Sequence, residues 1–252
     1  MSPRSDFVGK RVLVTGSTRG IGSATADRLL ERGASVMLHG RRQKDVDGAV
    51  AARAATHGNR VTGRAADLAD RAQCRRLADA AGALDVLVNC AAIYEERDIA
   101  ASDEDFWDIA IGTNVTAPWL LAHALLPGLR ARRGVIVNVG SDAAYLGYAN
   151  SSVYCASKGA IVGLTRALAV ELGPEVRALC VCPGPAMTDM MGATPADRAA
   201  SGAVWSKWTM LGRAAEPAEI AAAIAFAASP DASFATGSVI AIDGGAGTGR
   251  RL

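Results

Sequence analysis

Six short apolar runs, several of them rich in β-branched residues, recur along the chain. They are Arg11 to Thr15 (RVLVT), Ser35 to His39 (SVMLH), Asp85 to Asn89 (DVLVN), Val135 to Val139 (VIVNV), Ala178 to Cys182 (ALCVC) and Ser238 to Ile242 (SVIAI). Stretches with helical spacing separate them. A strand that is apolar at nearly every position has no face to give to water, so its sheet must be covered on both sides. Such strands, alternating with helices, are joined by crossovers and run parallel. The expected fold is therefore α/β, a single doubly wound parallel sheet with helices on both faces, spanning residues 1–252 as one domain. Half of the 252 residues are hydrophobic, enough for one sizeable core.

Charge and cysteine usage narrow the functional classes. Net charge is +2 with mixed signs throughout, which leaves no footprint for nucleic acid or anionic lipid. Cys74, Cys90, Cys155, Cys180 and Cys182 form no CxxC or zinc-type spacing and read as reduced thiols of a cytoplasmic protein. The N-terminus MSPRSDFVGK has no apolar signal region, and the longest apolar run, Ile220 to Ala228, is too short to span a bilayer. His39, His57 and His123 are isolated and lack a ligand motif, so no metal site is expected.

The first strand runs directly into TGSTRGIG, residues Thr15 to Gly22. Glycines at Gly16, Gly20 and Gly22 let the backbone turn tightly and approach a pyrophosphate. The helix that follows offers free N–H groups and the positive end of its dipole. Between a strand and a helix, and followed by a second strand, this loop predicts a dinucleotide site in a Rossmann-type sheet. The loop residues Gly16, Ser17, Thr18, Arg19, Gly20, Ile21 and Gly22 are its candidates. An NAD site usually carries an acid at the end of the second strand for the ribose 2′-hydroxyl. Here the sequence is LHGRR, with Gly40 in that place, followed by Arg41 and Arg42. Losing the acid removes repulsion against a 2′-phosphate, and a guanidinium binds phosphate bidentately. NADP(H) is expected over NAD(H), which stays possible.

Tyr154 and Lys158 stand four residues apart in one amphipathic helical stretch, VYCASKGAIVGLTRALAVEL, and so share a helical face. A free tyrosine titrates near about 10, and a fixed cation beside it favours the phenolate. Lowering it to about 7 takes about 4 kcal/mol, after which it could donate or accept a catalytic proton. Residues 186–212, with Pro195, Met187, Met190, Met191, Met210, Trp205 and Trp208, break the strand–helix rhythm after a strand end. Ligands of open parallel sheets sit at such ends, which makes this segment a candidate substrate lid.

Together these residues resemble the short-chain dehydrogenase/reductase family over essentially the whole chain. TGSTRGIG is similar to its cofactor loop. VNCAA (Val88 to Ala92) resembles its Asn-Asn-Ala-Gly segment, with Asn89 and Ala91 matching and Cys90 and Ala92 departing. Asp67 with Leu68, in AADLAD, resembles the acid that contacts adenine. Pro183, Gly184 and Thr188 (PGPAMT) resemble the loop that clasps the nicotinamide carboxamide. Asn114 in GTNVTAP and Ser141, thirteen residues before Tyr154, complete the order. The resemblance implies an NAD(P)-dependent oxidoreductase acting on a carbonyl or secondary alcohol. Ser141 would polarise the carbonyl and Tyr154 would act as general acid/base. Lys158 would lower the tyrosine pKa and hold the nicotinamide ribose beside Tyr154, and Asn114 would position a water reaching Lys158. It also implies a homotetramer, built partly on the helix bearing Tyr154 and partly on a C-terminal helix, Glu216 to Ala228.

Residues flanking these positions are the candidate substrate walls: Tyr94 and Glu95, then Tyr145 and Tyr148, then Met190, Trp205 and Trp208 in the lid. They are apolar or aromatic with few fixed charges, which points to a neutral small-molecule alcohol or ketone. The alternative is a catalytically silent NADP(H)-binding regulatory protein of the same fold, which would be expected to have lost Ser141, Tyr154 or Lys158. An epimerase or dehydratase with a larger substrate domain, and a metal-dependent hydrolase, fit the sequence less well.

Overall fold

A computed structural model of the chain describes residues 5–192 and 194–249. Seven strands form one sheet: β1 (Arg11–Val14), β2 (Ser35–Gly40), β3 (Val61–Ala65), β4 (Val86–Asn89), β5 (Val135–Val139), β6 (Arg177–Pro183) and β7 (Val239–Ile242). Their order is β3-β2-β1-β4-β5-β6-β7, and every neighbouring pair is parallel. The chain builds outward from β1 to β3, then returns across β1 and builds the other way from β4. The crevice beyond the carboxyl ends of β1 and β4 is thus the switch point where open α/β sheets bind ligands.

The sequence reading names six of these strands and omits β3. Its residues, VTGRA, include a glycine and an arginine and alternate between buried and open positions. This is an edge strand with one neighbour, so it lacks the continuous apolar run of an interior strand. Gly63 carries no side chain because helix α2 (Gln43–His57) leans directly on it: a Cβ there would lie 2.5 Å from Val46 Cγ1.

Two cores flank the sheet, because successive strand residues point to opposite faces. On one face Val12, Val14, Val36, Leu38 and Val137 pack beneath α1 (Gly20–Glu31) and α8 (Pro217–Ala228), which contribute Leu29, Leu30, Ile220 and Ile224. On the other, Leu13, Leu87 and Ile136 meet α3 (Arg71–Ala81), α5 (Ala117–Ala131) and α6 (Ser152–Leu172) through Leu77, Leu121 and Leu168. Arg32 caps α1, and Gly33 follows at φ 99°, a positive φ that glycine adopts without strain. The low-polarity surface of α8 is largely spent on α1 and the sheet, with Phe226 turned outward.

Helix α4 (Glu104–Ile111) does not end before α5. A single π-turn, Gly112–Thr116, joins the two into one 28-residue helix, 104–131. Both this helix and α6 are long and apolar enough to cross a membrane by length and composition, although polar residues interrupt the apolar run in each. In this fold each lays an apolar stripe on the second core. The π-turn carries Asn114, and such one-residue insertions re-aim a side chain that a regular helix would place elsewhere. The last helix in chain order before α8, α7 (Pro195–Trp205), lies inside the 186–212 excursion, together with a short 3-10 turn, Ser206–Trp208.

Candidate active site

The loop between β1 and α1 is fitted for close approach by a diphosphate. Gly16 sits at φ 66°, and a Cβ on it would fall 2.8 Å from the Ala91 Cα. A Cβ on Gly22 would fall 2.3 Å from the Gly16 carbonyl oxygen. Helix α1 begins with Arg19 at its N-cap, which contributes no side-chain acceptor, and its first turn carries no acid. Its leading N–H groups and dipole are therefore available to an anion. These features fit a pyrophosphate; Gly16, Thr18, Arg19, Gly20, Ile21 and Gly22 would surround it.

Ser17 corrects the sequence expectation. It is fully buried; its hydroxyl donates to the Val14 carbonyl at 2.8 Å and accepts the His39 N–H at 2.9 Å. It braces the loop from inside and turns no side chain outward. His39 holds the same loop: its Nδ1 accepts the Gly16 N–H at 3.1 Å, leaving Nε2 to donate to the Ala66 carbonyl at 3.1 Å. Burial holds this imidazole below its ordinary pKa, so the neutral form is the structural one. Thr15 ties β1 to β4 by accepting the N–H groups of Cys90 and Ala91 at 2.9 and 3.1 Å. The sequence offers only the apolar context of His39 and the strand-end position of Thr15 as signals for these braces.

At the end of β2 the missing acid has a steric reason. A Cβ on Gly40 would meet Thr18 Cγ2 at 2.6 Å, so the glycine loop itself occupies that space. Arg41 and Arg19 are exposed; Arg19 lies 3.8 Å from Asp189. Arg42 differs from the expectation, because the Nε and Nη2 edge of its guanidinium goes to Asp45, at 2.7 and 3.0 Å. Asp67 accepts the Ala69 N–H at 3.0 Å in a tight turn after β3, with Leu68 buried beneath. Asn89, at the end of β4, donates to Asn138 at 2.9 Å, and its own Oδ1 has no partner among the described residues. Pro183 ends β6, and Gly184 packs so tightly that a Cβ would lie 2.7 Å from the Asp243 Cα. Thr188 faces the glycine loop, 3.3 Å from a Cβ placed on Gly20.

Beyond β5 and along α6 the structure gathers Ser141, Tyr154 and Lys158. Lys158 is 3% exposed, donates its Nζ to the Val139 carbonyl at 2.8 Å and lies 5.5 Å from the centre of the Tyr154 ring. Burial lowers its pKa, opposed by the nearby thiols of Cys90, Cys180 and Cys182. Tyr154 does not match the simple expectation of a lysine-lowered phenol. Burial pushes its pKa upward, a hydrogen bond with Ser141 works against the rise, and the Asp142 and Tyr94 groups add to it. Asn114 reaches neither Lys158 nor Tyr154 directly. Its Oδ1 accepts the Ile93 N–H at 2.8 Å, and its Nδ2 donates to the Ile93 carbonyl and to the Ser157 hydroxyl, both at 3.0 Å. It clamps the loop after β4 onto α6, one residue from Lys158.

The wall around Tyr154 is aromatic and also more acidic than the sequence suggests. Tyr94 meets the Tyr154 ring edge-on, with centroids 4.8 Å apart, and Trp205 meets Tyr148 the same way at 5.5 Å. Tyr148 donates to Asp142 Oδ2 at 2.7 Å and Tyr145 to Asp243 Oδ2 at 2.9 Å. Ser141 donates to Asp142 Oδ1 at 2.9 Å. Asp142 and Asp243 are both buried, and the sequence reading selects neither, since an acid after a strand end reads as a solvated turn residue. Met190 is half exposed and stands apart from this cluster's hydrogen bonds and ring contacts. A cavity of about 220 Å³ opens elsewhere, at the amino ends of the strands between Lys10, Asp85, Arg132 and Arg177, remote from all of these groups.

A protein-family model described as enoyl-(acyl carrier protein) reductase matches residues 16–247. The chain is 36% identical to the 3-oxoacyl-acyl-carrier-protein reductase FabG of Vibrio harveyi over 243 residues, 94% of this chain and 97% of that protein. It is 39% identical to the cis-4-hydroxycyclohexanecarboxylate dehydrogenase of Sinomonas cyclohexanicum over 251 residues, 95% of this chain and 97% of that one. A solved structure of a blue fluorescent protein from a metagenomic library, in complex with NADPH, superposes with a TM-score of 0.88 at 35% identity. That match covers 95% of this chain and 98% of that chain.

Proposed function

This chain belongs to the short-chain dehydrogenase/reductase family of NAD(P)-dependent oxidoreductases, and from that premise we propose that it moves a hydride between NADP(H) and a neutral ketone or secondary alcohol. The observation that carries the reading is the convergence of Ser141, Tyr154 and Lys158 beside the switch-point crevice that begins at the glycine loop. When bound, the nicotinamide supplies the hydride chemistry.

The chain's own residues supply orientation and the proton. A carbonyl oxygen gains negative charge as it is reduced, and donors already aimed at it stabilise that charge. Tyr154, held in its protonated form by burial, donates one hydrogen bond and then the proton. The Ser141 hydroxyl donates the other. Lys158, anchored on the Val139 carbonyl beside Tyr154, would hold the nicotinamide ribose. Asn114 holds the β4 loop against α6 and so sets the spacing between the crevice and Tyr154. In the oxidative direction Tyr154 is the base, and its raised pKa requires a higher pH for that role.

NADP(H) is favoured because Gly40 cannot be replaced by an acid without displacing Thr18, while Arg41 and Arg19 are exposed where a 2′-phosphate would lie, Arg19 sharing its charge with Asp189. The NADPH complex of the similar metagenomic protein supports the same choice. Tyr94, Tyr148 and Trp205 form the substrate wall, with 186–212 as its lid; the Asp243 carboxyl, bonded to Tyr145, disfavours an anionic group beside this wall. Five free thiols support a reducing cytoplasmic setting, and the exposed apolar Val170 on α6 and Phe226 on α8 support a homotetramer. A panel of ketones and alcohols, followed by NADPH absorbance in both directions and repeated with NADH, tests the proposal. Turnover of none of them, or a higher kcat/KM with NADH, refutes the respective part, and a monomeric mass in solution refutes the tetramer.

A further inference from the structure

The Ser141 hydroxyl has one hydrogen to give and two lone pairs to fill. In the structure the hydrogen goes to Asp142 Oδ1 at 2.9 Å, one lone pair accepts the Ala143 N–H at 3.1 Å, and the other faces the Tyr154 hydroxyl. The other carboxyl oxygen of Asp142 accepts the Tyr148 hydroxyl at 2.7 Å. Both oxygens are thus engaged, and Asp142 is 5% exposed, so water does not compete for them. An ionised carboxylate only accepts hydrogen bonds. While Asp142 is ionised, the hydrogen that a carbonyl needs from Ser141 is already taken.

We propose that Asp142 is a positioning residue whose protonation releases the Ser141 hydroxyl hydrogen to a bound carbonyl. This rests on the reading that Ser141 is a carbonyl donor. With a proton on Oδ1, Asp142 donates to Ser141 Oγ, Tyr148 continues to donate to Oδ2, and the serine hydrogen turns toward Tyr154. No bond other than O–H is made or broken, and the proton comes from solvent.

The surroundings favour that proton more than they would on an exposed carboxyl. Burial first, and the Asp243 carboxyl to a smaller degree, raise Asp142 above the ordinary carboxylate range, while the donors Tyr148, Ser141 and the Ala143 N–H work against the rise. The turn bearing Asp142 packs on α6 and β6. The titratable groups that interact with it are Tyr145 and Tyr148 from its own loop, Tyr154 from α6 and Asp243 beyond β7; the elements it packs against also carry Cys155 and Lys158 on α6 and Cys180 and Cys182 on β6. The sign follows directly: raising pH ionises Asp142, captures the serine hydrogen and weakens carbonyl reduction, before Tyr154 itself loses its proton.

Asp142→Asn separates this from a structural role. The Tyr148 hydroxyl keeps the amide oxygen on its side, so the amide N–H faces Ser141 and mimics the protonated acid at every pH. In the wild type, kcat/KM for carbonyl reduction should fall tenfold per pH unit above the Asp142 titration; in Asp142→Asn that limb should vanish. An independent reading uses ¹³Cγ-labelled aspartate, with the Asp142 signal assigned through its backbone amide. Ser141→Ala removes a donor from the ionised form and should raise the Asp142 titration by about one unit or more, a tenfold change in proton affinity. Retention of the wild-type limb in Asp142→Asn, or an Asp142 titration unmoved by Ser141→Ala, overturns the proposal. Absence of carbonyl turnover would refute the functional reading instead, and the carboxyl titration would still decide whether the two side chains share a proton.

Discussion

Gly22→Ala sets two effects of opposite sign against each other. Gly22 lies in the first turn of α1 with no left-handed φ, so alanine fits its backbone and should favour the helix by about 1 kcal/mol. The added Cβ, however, would stand 2.3 Å from the Gly16 oxygen, 2.8 Å from its carbonyl carbon and 3.1 Å from the Ser17 Cα, all backbone atoms. The closest of these is more than an ångström short of a comfortable contact of about 3.5 Å. Gly16 cannot retreat: its backbone is packed on Ala91 and its N–H is held by His39 at 3.1 Å. The loop must therefore shift by about an ångström, which carries a hydrogen bond of about 2.9 Å past its useful limit. Losing one donor to a pyrophosphate is worth about 1.5–3 kcal/mol, or roughly 10- to 100-fold in Kd. Calorimetric titration with NADPH should show that loss, with thermal stability unchanged or lower. Gly48→Ala is the control, because that exposed helical glycine has nothing within 4 Å of a Cβ. It should gain about 1 kcal/mol of stability and bind NADPH as the wild type does. If Gly22→Ala binds NADPH with unchanged affinity, the diphosphate does not lie in this loop.

Tyr154→Phe should bind NADPH within a few-fold of wild type and lose about 100- to 10,000-fold in kcat, the range of a general acid; substantial residual turnover in steady-state assays argues against the assignment. Arg41→Ala should raise the KM for NADPH about tenfold or more while sparing NADH. Arg42→Ala should do much less, since Asp45 already holds that guanidinium; equal effects would contradict this division. Stability should depend on His39. Its folded pKa is depressed, so the unfolded chain binds the proton more readily. The stability tied to neutral His39 is complete above about 6.5 and falls as pH drops below that value toward the folded pKa. Urea melts between pH 7.5 and 5.5 should show this slope, and His39→Asn, which keeps an acceptor for the Gly16 N–H, should flatten it.

Local chemistry explains what could be read in advance. The interior strands announce themselves because both their faces are apolar, and the glycine loop because three glycines must stand between a strand and a helix. Tyr154 and Lys158 are legible because one helix fixes their spacing. The edge strand β3 was not, since half of its surface faces water and a glycine interrupts its pattern. Asn114 stands out in a helical context, yet its partners Ile93 and Ser157 lie 21 and 43 residues away. Asp142 and Asp243 pass for turn residues until the fold buries them beside Tyr148 and Tyr145. Ser17 is the reverse case, a hydroxyl in a ligand-binding motif that serves the inside of its own loop.

Helix α7 buries none of its residues, and its N-terminus is closed by a reciprocal pair, Thr194 accepting from the Asp197 N–H and Asp197 from the Thr194 N–H. Its grip on the aromatic wall is at the far end, where Trp205 meets Tyr148. In the function proposed above, where α7 belongs to the lid, swinging it away exposes almost no core, so admission of substrate and denaturation of the domain would draw on separate free energies. Substitutions along α7 should alter hydrogen-exchange rates and substrate entry there while leaving the global melting midpoint nearly fixed. With such a lid, substitutions that reshape what is admitted would cost the sheet little stability.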